Sequence, residues 1–322
     1  MADTALNAGA RVLVLGSGKT GHEINARGVA EALGGPTTYR RVKPRALFER
    51  LAPWGPMDFH DRAAFLAAPL PDIVIACGRV TVPYIRALKK AGGKSLFAVF
   101  LQDPRASRSA MDLIWTPAHD RLRGPNVLTT LTSPHPFSPA RLAAARALSD
   151  PRLAGLPSPR VGLALGGPSG AQHFTAADIL DIREAVKAIV RQGYAVMATP
   201  SRRTPPELIA AVREGLGSAP GFVWDGQGEN PYAAILALAD ALLVTGDSAN
   251  MVGEAVATGA PVHIFEPSGG KSRKLELMID GLVARGAARR FRGRLEAFVY
   301  APIDSSQEIA AEIGRRFAAG RF

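Results

Sequence analysis

A single cysteine, Cys77, stands among 322 residues, so no disulfide can close within the chain and cysteine-based metal sites are excluded. It ends the apolar run DIVIAC and reads as a small buried hydrophobe rather than a reactive thiol. No stretch approaches the roughly 20 apolar residues that a membrane-spanning helix needs. The opening MADTALNAGARVLVL lacks the basic, apolar and small-residue regions of a signal peptide, so the expected location is cytoplasmic. Aromatics make up only 7% of the chain and no known nucleic-acid module is present, which argues against nucleic acid as a partner. Acidic residues are few: 28 against 39 lysines and arginines, a formal charge of +11. The excess is spread in short clusters, YRRVKPR, SRRT and GAARRFRGR, which suit a phosphorylated small molecule or an anionic lipid surface. Peripheral contact with the inner face of a membrane is therefore an expectation.

The length fits two domains of about 150 residues each. The first glycine-rich turn, in RVLVLGSGKTGHEINARGVAEALGG, contains Gly-Ser-Gly-Lys-Thr, the ending of a phosphate-binding P-loop. Such a loop needs a glycine five residues before Gly18, where this chain has Leu13 in mid-strand, so the turn is too short to encircle a triphosphate. Gly16, Gly18 and Gly21 match a dinucleotide fingerprint, but the acidic residue that should close the second strand is replaced by TTYRRVK. What remains is an anion-friendly turn at the start of a helix near His22.

Strand candidates RVLVL, DIVIA, SLFAVF, DLIWT and NVLTT alternate with helical stretches over 22–34 and 80–91, the pattern of a parallel sheet covered on both faces. LSDPRLAGLPSPR, from Leu148 to Arg160, reads as a linker. The pattern then restarts with RVGLALGGPSG, YAVMATP, ALLVT and PVHIF, separated by helices that begin at the Thr175/Asp178 capping box, at Thr204-Pro205 with Glu207, and at Ala249. Ser305 and Glu308 announce a last helix, expected to cross back between the halves. The fold expected is α/β: two doubly wound domains, 1–150 and 151–322, facing each other across a cleft. Within the second, ADALLVTGDSANMVGEAVATGAPVHIF brings Asp247 and Ser248 to a strand end before a helix that carries Asn250 and Glu254 on one face. A helix start of this kind can hold a diphosphate, and a glutamate two turns in can accept ribose hydroxyls.

This stretch, with GENPYAAILALADALLVT before it, resembles the donor-nucleotide region of GT-B glycosyltransferases. The blocks GHEINARGVAEALG, FLQDPR, MDLIWTPAHDRLRGPNVLTT, LGGPSG, PSRRTPPE, GENPY and TGDSANMVGEAVATGAPV resemble, in order, those of the plant mitochondrial-fission factors (the elongated-mitochondria family) and their bacterial relatives. The resemblance implies a GT-B fold and a glycosyltransferase that joins a nucleotide sugar to an unknown acceptor, with lipid and envelope glycan as acceptor classes. It implies no cofactor and no metal, since basic groups and a helix end serve the leaving diphosphate, and the chain has no Asp-x-Asp string.

By the same resemblance the first glycine-rich loop, with Gly16, Gly18 and Gly21, faces the acceptor, and His22 is the first candidate for the general base, with Glu23 and Asp103 behind it. His135, in the proline-rich loop TSPHPF near the expected cleft, reads equally as an acceptor-side residue and as plain loop structure. The donor side takes Gly166, Gly167, Ser169 and Gly170 for phosphate oxygens and Ser201, Arg202 and Arg203 for the leaving diphosphate. Asn230, Tyr232, Asp247, Ser248, Asn250, Met251 and Glu254 complete it. Asp247 departs from other GT-B donor motifs by placing an anion near the expected phosphate. Two alternatives stand beside the transferase: a non-catalytic scaffold that recruits a partner at a membrane, and a nucleotide-sugar epimerase.

Overall fold

A computed structural model describes residues 9–106, 108–148 and 150–320. The chain divides into two compact units, one of residues up to Pro136 together with those from Asp304 on, the other Phe137–Ile303. The first unit thus ends ahead of the proline-rich stretch that reads as the linker.

The first unit opens with β1 (Val12–Gly16), α1 (Thr20–Leu33), β2 (Thr37–Arg41), α2 (Ala46–Leu51), α3 (Arg62–Leu66) and β3 (Ile73–Cys77). It continues with α4 (Val82–Gly92), β4 (Phe97–Leu101), β5 (Leu113–Pro117) and β6 (Val127–Thr130). The strands form one sheet in the order β2-β1-β3-β4-β5-β6, every pairing parallel. Because side chains alternate across a strand, Val12 and Val14 enter the layer that α1 covers through Ala26, Val29 and Leu33, while Leu13 and Leu15 enter the opposite layer under Val82, Ile85 and Leu88 of α4. Cys77 lies in the first of these layers, and burial raises its thiol pKa far above the ordinary value, so it is an inert core residue. Gly34, left-handed at φ 73°, stops α1.

The second unit runs α5 (Pro139–Ala147), α6 (Pro151–Ala154), β7 (Arg160–Leu165), β8 (Gln172–His173), α7 (Ala176–Arg191), β9 (Ala195–Pro200), α8 (Pro206–Leu216) and β10 (Gly221–Val223). It then runs α9 (Tyr232–Leu238), β11 (Ala241–Thr245), α10 (Ala249–Val256), β12 (Val262–Phe265), β13 (Gly269–Gly270), α11 (Arg273–Ala284) and β14 (Arg289–Arg290). Six strands make a second parallel sheet, β10-β9-β7-β11-β12-β14, and β8 pairs with β13 antiparallel. Thr175 forms the expected capping box with Asp178. Thr204 does not cap α8: its hydroxyl bonds the carbonyls of Leu165 and Gly166 at 2.8 and 2.6 Å, tying the α8 entry to the end of β7.

The last helix, α12 (Ser305–Ala318), is capped by Asp304, whose carboxylate accepts from the Ser306 and Gln307 N–H groups. Ser305 instead sits one residue inside, fully buried against the Thr132 hydroxyl at 2.6 Å. Ile309, Ala310 and Ile313 of α12 join the α1 layer of the first unit.

Candidate functional site

In an open α/β sheet, ligands bind beyond the carboxyl ends of the strands, where the strand order reverses. The first sheet reverses between β1 and β3. Ser17, directly after β1, approaches His22 of α1 with 3.0 Å between Oγ and Nδ1. Gly78, directly after β3, has φ 98°, and a Cβ there would lie 2.7 Å from both the His22 Nδ1 and the Ser17 Oγ. The glycine therefore makes the room in which the Ser17–His22 pair forms. His22 is partly buried, and burial, assisted by the charge of Lys19 and opposed by Glu23, lowers its pKa below the ordinary histidine value. It is held as neutral imidazole.

The glycine turn of the opening motif already has its anion. Glu23 accepts from the Gly18 N–H at 3.1 Å and is clamped by the Arg41 guanidinium at 2.8 and 2.6 Å. A Cβ on Gly16 would lie 2.8 Å from the Glu23 Oε1, so the glycine accommodates that carboxylate. The arginine holds Glu23 below the usual carboxylate range, which makes it a poor proton acceptor and removes it as a base. Gly21 lies in the first turn of α1.

Asp103 follows β4, exposed, between Gln102 at φ 83° and Arg105 at φ 53°, and accepts from the Arg105 N–H at 2.9 Å. These two are the positive-φ residues other than glycine among those described, and strain at a strand end beside the switch point keeps Asp103 a candidate. His135 does not face an acceptor. It is 2% exposed, with its N–H donating to the Ser306 Oγ and its carbonyl accepting from the same hydroxyl, and Gly28 lets its backbone press on α1. It fastens α12 to α1.

The second sheet reverses between β7 and β11, and most donor candidates gather there. Gly166 and Gly167 follow β7, Ser201 to Arg203 follow β9, and Asp247 and Ser248 follow β11. The expected phosphate cradle, however, is largely closed by the protein itself. Gly166 N–H donates to the Thr245 Oγ1 at 2.7 Å, Gly167 N–H to the Asp247 Oδ2 at 2.8 Å, and Ser169 N–H to the Gln172 carbonyl at 2.8 Å. A Cβ on Gly166 would overlap the Asp247 carboxylate and one on Gly167 the Arg203 carbonyl, so these glycines admit neighbours of the same chain. Gly167→Ala is expected to destabilise the protein by about 1–3 kcal/mol, the usual range for overpacking. A drop of roughly 2–4 °C in Tm per kcal/mol would show it, and an unchanged Tm would mean that the loop yields freely. Gly170 is exposed, with no atom near its absent side chain.

Arg203 is docked on the Pro168 carbonyl at 3.0 Å and its charge opposes the rise in the Asp247 pKa that burial causes. Arg202 beside it is exposed. Ser201 Oγ accepts from the Arg203 N–H at 3.2 Å. The buried Asp247 Oδ1 has no hydrogen-bond partner among the described residues. Ser248 caps α10, accepting from the Met251 N–H at a long 3.4 Å, with Asn250 half-buried between them.

Glu254 lies in the second turn of α10 and is 5% exposed. Its Oε2 accepts from the Tyr232 hydroxyl at 2.7 Å, and burial pushes its pKa up to about 7 against the opposing effect of that hydrogen bond. Asn230, by accepting from Thr199 Oγ1 and Tyr232 N–H at 3.0 Å each, sets the start of α9 and so the direction of Tyr232. Phe137 packs edge-on against the Tyr232 ring at 5.5 Å. Sequence reasoning missed Ser17, Gly78 and Arg41, whereas it placed Thr245 at the end of its strand without a role. Gly78 was detectable as a residue at the carboxyl end of a predicted strand, and Arg41 was visible only as part of a basic cluster.

A family model described as "Mitochondrial fission ELM1" matches residues 20–317. The mitochondrial fission protein ELM1 of Arabidopsis thaliana is 25% identical over 391 aligned residues, which cover 96% of this chain and 91% of that protein. Among solved structures, the Acinetobacter baumannii MurG structure aligns with 96% of this chain and 93% of its own, at 13% identity and a TM-score of 0.50. The UDP-GlcNAc 2-epimerase of Methanocaldococcus jannaschii aligns with 96% and 99%, at 11% identity and a TM-score of 0.53. These likenesses establish the fold as GT-B-like, built of two Rossmann-like units.

Proposed function

The chain belongs to the mitochondrial fission ELM1 family, and from that premise we propose that it is a metal-independent glycosyltransferase that moves a sugar from a nucleotide-activated donor to an acceptor hydroxyl. The observation that carries this reading is the withdrawn Glu254 carboxyl, held by the Tyr232 hydroxyl in the second turn of the helix that starts from the switch point. A carboxylate kept from water and steered by one hydroxyl is suited to accept the paired hydroxyls of a ribose. In this reading Arg202, Arg203 and the α10 start meet the diphosphate in the second unit, and His22 takes the acceptor proton in the first. The epimerase whose fold matches acts, by its name, on a UDP-linked sugar, so uridine donors come first in any screen.

One observation favours the scaffold reading instead: the glycine N–H groups are occupied from within the chain, and Asp247 puts an anion beside the expected phosphate. Thermal-shift measurement against nucleoside diphosphates and nucleotide sugars separates the two. A ligand at ~100 times its Kd adds about 2.7 kcal/mol of stability, and the transferase reading expects such a shift for at least one nucleotide. No shift across the panel would leave the scaffold. Isomerisation of a nucleotide sugar without any acceptor would make the protein an epimerase.

A further inference from the structure

Four large apolar side chains crowd the surface within 13 residues of the first unit: Leu47 at 63% exposure, Leu51 at 44%, Trp54 at 71% and Phe59 at 63%. Leu47 and Leu51 are four apart on α2 and share its outer face, while Phe48 between them is buried and meets the Phe59 ring edge-on at 5.3 Å. The loop that follows is not loose. Arg79 donates to the carbonyls of Glu49 and Ala52 at 2.7 and 2.5 Å, and Arg86 to those of Pro53 and Trp54 at 3.3 and 3.1 Å. Its far end is held by Asp58, which is paired with Arg45 at 2.7 Å. A backbone pinned from below while it turns tryptophan and phenylalanine to solvent is an interaction surface.

Phe59 also lines a groove of about 560 Å³ with Met57, Leu66, Arg62, Arg86 and Lys90. Arg62 and Lys90, which line the groove with Phe59, are exposed, as is Arg50 next to Leu51. Of the nearby acids, Asp58 is neutralised by Arg45, Asp61 is half-buried and accepts from the Tyr84 hydroxyl, and Glu49 is exposed. Apolar and aromatic side chains flanked by cations in excess of acids match the boundary of an anionic bilayer, where rings sit at headgroup depth and cations meet lipid phosphates.

We propose that the face formed by α2, the 52–59 loop and the outer end of α4 docks the protein on an anionic membrane surface, with Trp54 and Phe59 entering the headgroup layer and Arg62 and Lys90 contacting lipid phosphates. This is independent of the sugar-transfer reading. The test is sedimentation of the full chain with phosphatidylcholine vesicles, with and without about one-third phosphatidylglycerol. The wild type is expected to bind the anionic vesicles and not the neutral ones. Trp54→Ala with Phe59→Ala should weaken binding at least tenfold, and Arg62→Ala with Lys90→Ala by about fivefold for each cation removed, with unchanged circular dichroism in both. Added salt should weaken binding of the wild type and have less effect on the variant lacking the two cations. Absence of vesicle binding, equal binding to neutral vesicles, self-association through this face without lipid binding, or variants that bind like the wild type would each overturn the proposal.

Discussion

Replacing His22 by glutamine is expected to lower sugar transfer by about 10²–10⁴, the contribution of a positioned base, while donor affinity stays unchanged. Burial lowers the His22 pKa, so the ring is neutral at pH 7 and ready to accept a proton. Its Nδ1 faces the Ser17 hydroxyl at 3.0 Å. For Nε2 to act as the base, Nδ1 must carry the hydrogen and donate it to Ser17 Oγ, so Ser17→Ala should also slow transfer by releasing the tautomer. The sign of the pH dependence follows. A depressed pKa keeps the base active through neutrality, and the rate should fall only in acid, below the pH at which an unperturbed histidine would fail. Steady-state rates of the purified variants against pH decide it. Near-normal turnover in the glutamine variant would move the base to Asp103, because Glu23 is locked by Arg41.

Much of the fold was legible because both sheets are built from short apolar runs that end in glycine or small polar residues, and each run from RVLVL to PVHIF became a strand, inner in its sheet except NVLTT, which forms the edge strand β6. The thin outer strands β10 and β14 escaped, having three and two residues, too few for any period to show. The site was only half legible. Sequence places Gly166 and Asp247 at strand ends, but not that the β7 glycines exist to admit the Asp247 carboxylate and the Arg203 carbonyl. That relation joins residues some 80 positions apart, and nothing local encodes it. His135 misled for the converse reason: a histidine between prolines looks like an exposed loop until Ser306 is brought to it from the end of the chain.

The two glycine turns share one device. In the first, Gly18 N–H meets Glu23 with Arg41 as counter-charge. In the second, Gly167 N–H meets Asp247, with the charge of Arg203 favouring the ionised form. Each turn retains the backbone donors and cation of an anion site and fills it with a carboxylate of its own. A phosphate entering either turn would therefore have to displace a carboxylate of the chain, ion-paired in the first turn and held by a backbone N–H in the second. In the first turn Arg41 would then be released to it, and in both turns the displaced carboxylate is a built-in competitor for any anion that does bind.

Glu254→Gln is expected to raise the stability of the ligand-free protein and to lower its nucleotide-sugar affinity. In the fold this carboxyl titrates at about 7 because it is buried, whereas in the unfolded chain it titrates near the ordinary glutamate value of roughly 4.3. A raised pKa means that its contribution to stability is complete below the unfolded value and is lost as pH rises through the folded one. Above pH 7 the wild type carries a buried charge that the amide does not, a difference on the order of 4 kcal/mol at 1.36 kcal/mol per pH unit. The amide can still accept from Tyr232. The variant should therefore melt at the wild-type temperature below about pH 4, gain steadily up to about pH 7, and hold a constant advantage above it. Nucleotide-sugar binding should move the other way, weakening by about 1.5–3 kcal/mol when an ionised acceptor is removed. Thermal melts from acid to pH 8, with and without nucleotide sugar, measure both effects on one sample. Equal melting temperatures at pH 8 would show that Glu254 is not a desolvated acid, and equal ligand shifts would place the ribose elsewhere.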